Sequence, residues 1–336
     1  MSEREDRGSS ILLLSNGRIH SVVETTGKPR FFCRSFLFGG VKLASRKTVK
    51  DTISAWVAVG PALLVQIIFV YVPLGFAAWV SLHRWNMIRP MRWIGMQNYI
   101  NLMQDDAFWR SMYLTFIYVI GTVPASIVLA LLLALLLNVK WIKGMAFFRV
   151  MFYIPVITAM AAAAVVWGWL FEPSGGLVNY LIGTVGISPK GWLNSPDWAM
   201  LALIIVGVWK RIGYNTIFFL AGLQTIPGVY YEAARIDGAG PVKSFFSITL
   251  PLLSPTTLFV AILQFIASFR VFVSVSVMTQ GGPARSTRVI TYFLYENAFI
   301  YLRMGYASAI AIVMFVLLFL FTLLQFRLSR KRVHYQ

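Results

Sequence analysis

The chain has 336 residues, of which 58% are hydrophobic and only 12% charged, and its mean hydropathy is +0.71. Such values exclude a soluble domain and indicate an all-α polytopic membrane protein, because the apolar runs are too long and continuous for barrel strands. A net charge of +18 and a pI near 10.3 would suggest nucleic acid in a soluble chain; here the positions of the charges report orientation, and no nucleic-acid partner is expected.

Residues 1–52 read as a basic tail carrying Arg4, Arg7, Arg18, Lys28, Arg30, Arg34, Lys42, Arg46, Lys47 and Lys50. Ile11 to Leu14 is too short for the apolar core of a signal peptide. The patch from Phe31 to Leu43 either lies in the interface beside anionic lipid or stays in solvated disorder. Cys33 is the single cysteine, so no internal disulfide forms and the thiol reads as inert.

Six apolar runs follow, each long enough to cross about 30 Å of hydrocarbon: Ile53 to Leu82, Met112 to Val139, Val150 to Phe171, Ala199 to Leu223, Leu252 to Met278 and Met304 to Phe326. Together they define a transmembrane domain over 53–326, ahead of a basic tail over 327–336 with Arg327, Arg330, Lys331 and Arg332. The connection after the second span adds Lys140, Lys143 and Arg149, while the opposite connections hold fewer basic residues relative to their lengths. Cytoplasmic loops are the basic ones, so both termini are expected in the cytoplasm of a multi-pass protein of the cell membrane. The connection between the fourth and fifth spans is then cytoplasmic as well.

Function narrows by what the chain lacks. Gly27-Lys28 is followed by Pro29, so no phosphate loop forms and no bound nucleotide cofactor is expected. His20, His83 and His334 are the only imidazoles, and neither a metal site nor a catalytic residue stands out. Asp51 and Glu172 fall at span edges, Asp105, Asp106, Asp197 and Glu296 in external loops, and Glu232 and Asp237 in the cytoplasmic loop. No carboxylate falls inside a span, which weighs against a proton-driven carrier, although a sodium site built from carbonyls would escape that test. Two other classes remain at this level, an ion-coupled secondary carrier and a membrane enzyme acting on a lipid-linked substrate.

The segment over 225–251 is the sharpest feature. Pro227 suits the first turn of a helix, Val229, Tyr230, Ala233, Ala234 and Ile236 give it an apolar, small-residue surface, and Gly238 suits a left-handed cap. A second short helix is predicted from Pro241 to Thr249, with Pro251 marking where the fifth span starts. Its bland alternative is an amphipathic connector resting on the membrane surface.

With Glu232-Ala233-Ala234, Asp237-Gly238-Ala239 and Ile248-x-Leu250-Pro251 in place, the segment resembles the EAA loop of ABC importer permeases. Further likeness to the sugar-importer branch lies in Gly95-x-x-Asn98-Tyr99, in Thr279-Gln280-Gly281-Gly282-Pro283 with Thr287, Tyr295 and Phe299, and in Gly305 to Ala309. The resemblance covers about 53–326. It implies type I importer architecture with six spans and a cytoplasmic coupling loop, working by alternating access. It also implies a second permease subunit, two ATP-binding cassette ATPase subunits, an extracytoplasmic solute-binding protein and surrounding lipid as partners. Glu232, Ala233, Ala234, Asp237, Gly238, Leu250 and Pro251 would dock the ATPase. Two departures are visible: Gly228 stands where relatives have a better helix former, and Val273 where many have an acid.

Helical spacing places Arg211, Tyr214, Asn215 and Phe218 on one face of the fourth span, and Gln264, Ser268 and Phe272 on one face of the fifth. Amides, hydroxyls and rings suit a sugar, so Arg211, Tyr214, Asn215, Gln264 and Ser268 are candidate substrate contacts; bonding between helices is the alternative. Lys210 and Arg211 lie near the middle of the fourth span. They read either as structurally paired or snorkelling cations, or, with Arg270, as the lining of an electropositive cavity for an anionic substrate such as glycerol phosphate. Trp167 and Trp169 are expected in the outer aromatic belt.

Overall fold

A computed structural model describes residues 12–15, 18–21, 49–139 and 145–329. Two units are distinguished, Met1–Leu64 and Val65–Gln336. In the first, β1 (Leu12–Ser15) and β2 (Arg18–Ser21) pair antiparallel with Leu12 opposite Ser21, within the basic tail. Cys33 and the apolar patch over 31–43 lie outside the described residues, as do Lys140 and Lys143.

The remaining elements are helical apart from one small ribbon. α1 (Val49–Gln66) runs through a wide turn, Ile67–Tyr71, into α2 (Val72–Val80). β3 (His83–Arg84) and β4 (Arg92–Trp93) pair ahead of α3 (Gln97–Met103) and α4 (Asp106–Leu137). Next come α5 (Met145–Ile157), α6 (Met160–Leu170), α7 (Leu177–Thr184) and α8 (Pro196–Gln224). The loop helices α9 (Gly228–Ile236), α10 (Pro241–Ser244) and α11 (Leu250–Leu252) precede α12 (Ser254–Phe269) and α13 (Val273–Met278). α14 (Ile290–Tyr295) and α15 (Met304–Ser329) complete the order. Two wide turns, Ile67–Tyr71 and Phe245–Thr249, each hold the residue four positions before a proline, Pro73 or Pro251. A proline ring crowds the carbonyl at that position, and widening the turn relieves it.

Among the described residues, five helices are long and apolar enough to cross a membrane: Ser54–Val80, Asp106–Leu137, Pro196–Gln224, Ser254–Met278 and Met304–Leu328. The expected third span is different. It divides into Val150–Ile157 and Met160–Leu170, bent by 106°, so a single straight helix over Val150 to Phe171 is corrected to two half-helices. Counting the bent pair as one crossing restores six.

Two helix starts also lie further out than expected. The Asp105 side chain accepts from the Ala107 amide at 2.8 Å, and Ser195 caps α8 ahead of Pro196. Asp106 and Asp197 therefore sit in first helical turns, where the helix dipole favours an acid, rather than in loops. Glu296 likewise opens the wide turn Glu296–Ile300 at the end of α14.

The packing centre is α4, which runs along α8 and also contacts α12. Ser111, Thr115, Tyr118, Thr122, Ser126, Ala130 and Ala134 form its buried stripe at helical spacing, small and hydroxyl-bearing as helix contact in lipid requires. Close approach of α5 to α8 is fixed at Gly213, where an added Cβ would stand 1.9 Å from the Phe152 carbonyl oxygen.

Candidate functional site

The loop from α8 to α12 is built from local signals. α9 ends in a Schellman cap: the Gly238 amide donates to the Arg235 carbonyl at 3.1 Å and the Ala239 amide to the Ala234 carbonyl at 2.8 Å. That cap needs a left-handed residue, and Gly238 supplies φ of 74°. The Tyr231 and Thr249 hydroxyls, 2.9 Å apart, tie α9 to the returning strand of chain. No residue of α9 is buried. Val229, Ile236, Val242 and Phe246 are 69%, 87%, 72% and 62% exposed. Glu232, Ala233, Asp237 and Gly238 are open, whereas Ala234, Leu250 and Pro251 are half-buried and lead to the fully buried Leu253. The proposed docking residues thus divide into an outward surface and its anchor.

The polar centre of the membrane domain is assembled from distant segments. Lys210 donates to the carbonyls of Pro155 at 2.6 Å and Val156 at 3.3 Å, and to that of Thr158. These carbonyls are left unpaired where α5 stops, and a cation at a helix C-terminus also meets the negative end of the dipole. The structurally paired reading therefore holds for Lys210.

Gln264 is 1% exposed and donates to Ser126 Oγ at 2.8 Å; Thr122 donates to Ser268 Oγ at 3.1 Å. Both candidates on α12 thus face α4 and bridge helices. Arg211 reaches Gln264 Oε1 at 3.4 Å. Asn215 is buried, and its Nδ2 has no hydrogen-bond partner among the described residues. Tyr214, 38% exposed, packs edge-on against Phe218 at 4.8 Å between ring centres. The face drawn from spacing is divided between helix contacts and open surface.

A cavity of about 160 Å³ lies beside this network, lined by Tyr118, Met160, Lys210, Arg211, Arg270 and Ser274 among others. Met160 and Ser274 were missed from sequence. Each follows an interruption, after α5 or after Phe269, and helical counting does not carry across a break.

At the end of the helices opposite the α9 to α11 loop, motifs far apart in the chain converge. Asn98 Nδ2 donates to the Ser81 and His83 carbonyls at 2.7 and 3.0 Å. A Cβ at Gly305 would stand 1.9 Å from the same His83 oxygen, and Tyr306 donates to Asp105 Oδ2 at 2.6 Å. The Thr287 hydroxyl bridges Thr279 Oγ1 at 2.8 Å and the Gly282 carbonyl at 2.7 Å. Arg288 pairs with Glu296. Burial first, and the Glu296 charge second, raise the Tyr292 phenol above its ordinary value and keep it neutral. Trp169 is 72% exposed, as a belt residue would be, whereas Trp167 packs on Phe171 and Trp209 with ring centres 5.3 and 5.5 Å apart.

The chain as a whole is similar to known proteins. The trehalose/maltose transport system permease protein MalF of Thermococcus litoralis is 36% identical over 293 residues, covering 86% of this chain and 98% of that protein. The sn-glycerol-3-phosphate transport system permease protein UgpA of Yersinia pestis is 34% identical over 278 residues, covering 82% and 94%. A solved bacterial ABC transporter involved in import of the acidic polysaccharide alginate contains a chain of like fold, with a TM-score of 0.73, 24% identity and coverage of 85% and 98%. Residues 99–334 match the model of the binding-protein-dependent transport system inner membrane component. The chain belongs to that family of ABC importer permeases.

Proposed function

We propose that this chain is one permease subunit of an ATP-driven importer that moves a carbohydrate, polyol or related derivative inward by alternating access. The names of the two relatives span a disaccharide and a polyol phosphate, which supports that cargo range. The observation that carries the reading is the α9 to α11 loop. Its exposed small, apolar and acidic surface is held at one end by the Gly238 cap and at the other by Leu250, Pro251 and buried Leu253. Covering an exposed side chain such as Val229 or Ile236 is worth about 1.5–3 kcal/mol, so a partner that closes over α9 gains a firm grip on α8 and α12.

In this reading two ATPase subunits dock there, and their closure shifts the permease between inward- and outward-facing states. A second permease subunit completes the path, a binding protein delivers cargo outside, and both termini face the cytoplasm. Chemistry on ATP belongs to the docked subunits.

The test is co-purification of the chain with a protein that carries a phosphate loop, followed by uptake in vesicles. ATP-dependent accumulation supports the importer. Accumulation that continues on an ion gradient after ATP is depleted favours the secondary carrier instead.

A further inference from the structure

We infer that the cavity beside Arg211 recognises a negatively charged cargo, with a phosphate, sulfonate or carboxylate carried on a sugar or polyol. The inference rests on the importer reading and names the charge of its cargo.

Three cations, Lys210, Arg211 and Arg270, line this cavity and no carboxylate does. The single ion pair among the described residues is Arg288 with Glu296, so none of the three is neutralised by a described acid. They are not equivalent. Lys210 is committed to the carbonyls at the end of α5. Arg211 makes one long bond, 3.4 Å, to Gln264, although a guanidinium offers five N–H donors. Arg270 is exposed and stands at the C-terminal end of α12, where the chain breaks before α13. A cation held at mid-membrane is costly on insertion scales, and here no carboxylate among the described residues offsets the charge.

Two of the groups that would hold a neutral sugar are otherwise engaged. Gln264 and Ser268 are bonded to Ser126 and Thr122 on α4. The cavity holds guanidinium with donors to spare, and its planar fork matches the oxygens of phosphate, sulfonate and carboxylate. At about 160 Å³ the cavity falls below the roughly 300 Å³ of a small ligand pocket. It therefore suits one charged group of the cargo, with the rest accommodated across the path.

The assembled importer, reconstituted with its binding protein and ATP, is offered matched pairs: glycerol and glycerol 3-phosphate, glucose and glucose 6-phosphate, glucose and glucuronate. At least one charged member should enter tenfold or more faster than its neutral twin. Arg211→Gln and Arg270→Gln should each lower that uptake tenfold or more, while Arg211→Lys restores part of it. Because the same wild-type binding protein delivers cargo in every case, a change seen in these variants belongs to the membrane path.

Neutral members moving as fast as their charged twins, a panel with no transported member, or charged uptake unchanged in both glutamine variants would each overturn the anion assignment. So would equal loss of neutral and charged uptake in Arg211→Gln. Uptake that does not need ATP overturns the importer reading itself, which keeps the two failures apart.

Discussion

The α9 to α11 loop and the polar centre of the membrane domain are opposites in how they are held. In the loop, the decisive bonds span three to five residues, and the surface they present is left open. In the centre, Lys210 reaches carbonyls 52 to 55 positions away and Gln264 reaches Ser126 across 138. A coupling element has to be complete before its partner arrives, so local rules suffice to shape it. A path through lipid has no water to satisfy stray polar groups, so its residues must be paired by whichever helix comes near.

The contrast is broken most severely at Lys210. Lys210→Met keeps the stem but leaves the carbonyls of Pro155, Val156 and Thr158 without their donor. A buried polar group left unmet costs about 1–3 kcal/mol, so the loss should reach several kcal/mol, seen as a lower thermal midpoint of the purified complex. Gly238→Val should lower that midpoint less, because nothing lies within 4 Å of an added Cβ there and only backbone strain opposes it. Forcing a β-branched residue to a φ of 74° costs about 1–2 kcal/mol and tilts α9 away from its cap. Uptake per ATP hydrolysed should therefore fall tenfold or more in a protein that still inserts. Gly228→Ala is the mildest change, at the first residue of α9 with open space beside it. It should favour the helix by up to about 1 kcal/mol and raise affinity for the ATPase slightly in a direct binding titration.

How far the sequence could be read follows the same division. Pro227, Gly238, Pro241 and Pro251 mark the loop because each acts on its own backbone; the structure differs in placing Pro227 at the N-cap, in running the second helix through a wide turn and in starting α12 at Ser254. Span positions were legible because hydropathy sums over many residues. The break in the third span was not, since Val150 to Phe171 is uniformly apolar and the group that stabilises the break lies on another helix. Gln264 and Ser268 were readable as polar, but which neighbour they face depends on how α12 packs on α4. Two alternatives were weighed for Lys210 and Arg211 together, and the structure separates two adjacent cations that no sequence rule distinguishes.

The bend has a further bearing on the lipid itself. α5 has 13 residues and α6 has 11, which at 1.5 Å per residue gives rods of about 20 and 16 Å. Neither reaches across roughly 30 Å of hydrocarbon, and at 106° the two are far from collinear. Phe147, Val150, Ile157 and Trp169 stand 69%, 64%, 73% and 72% exposed along them. A straight helix answers a thicker bilayer by changing its tilt, but this angled pair has no spare length to give. Transport measured in vesicles of graded acyl-chain length is therefore a direct gauge of the third span, and it should peak sharply at one membrane thickness.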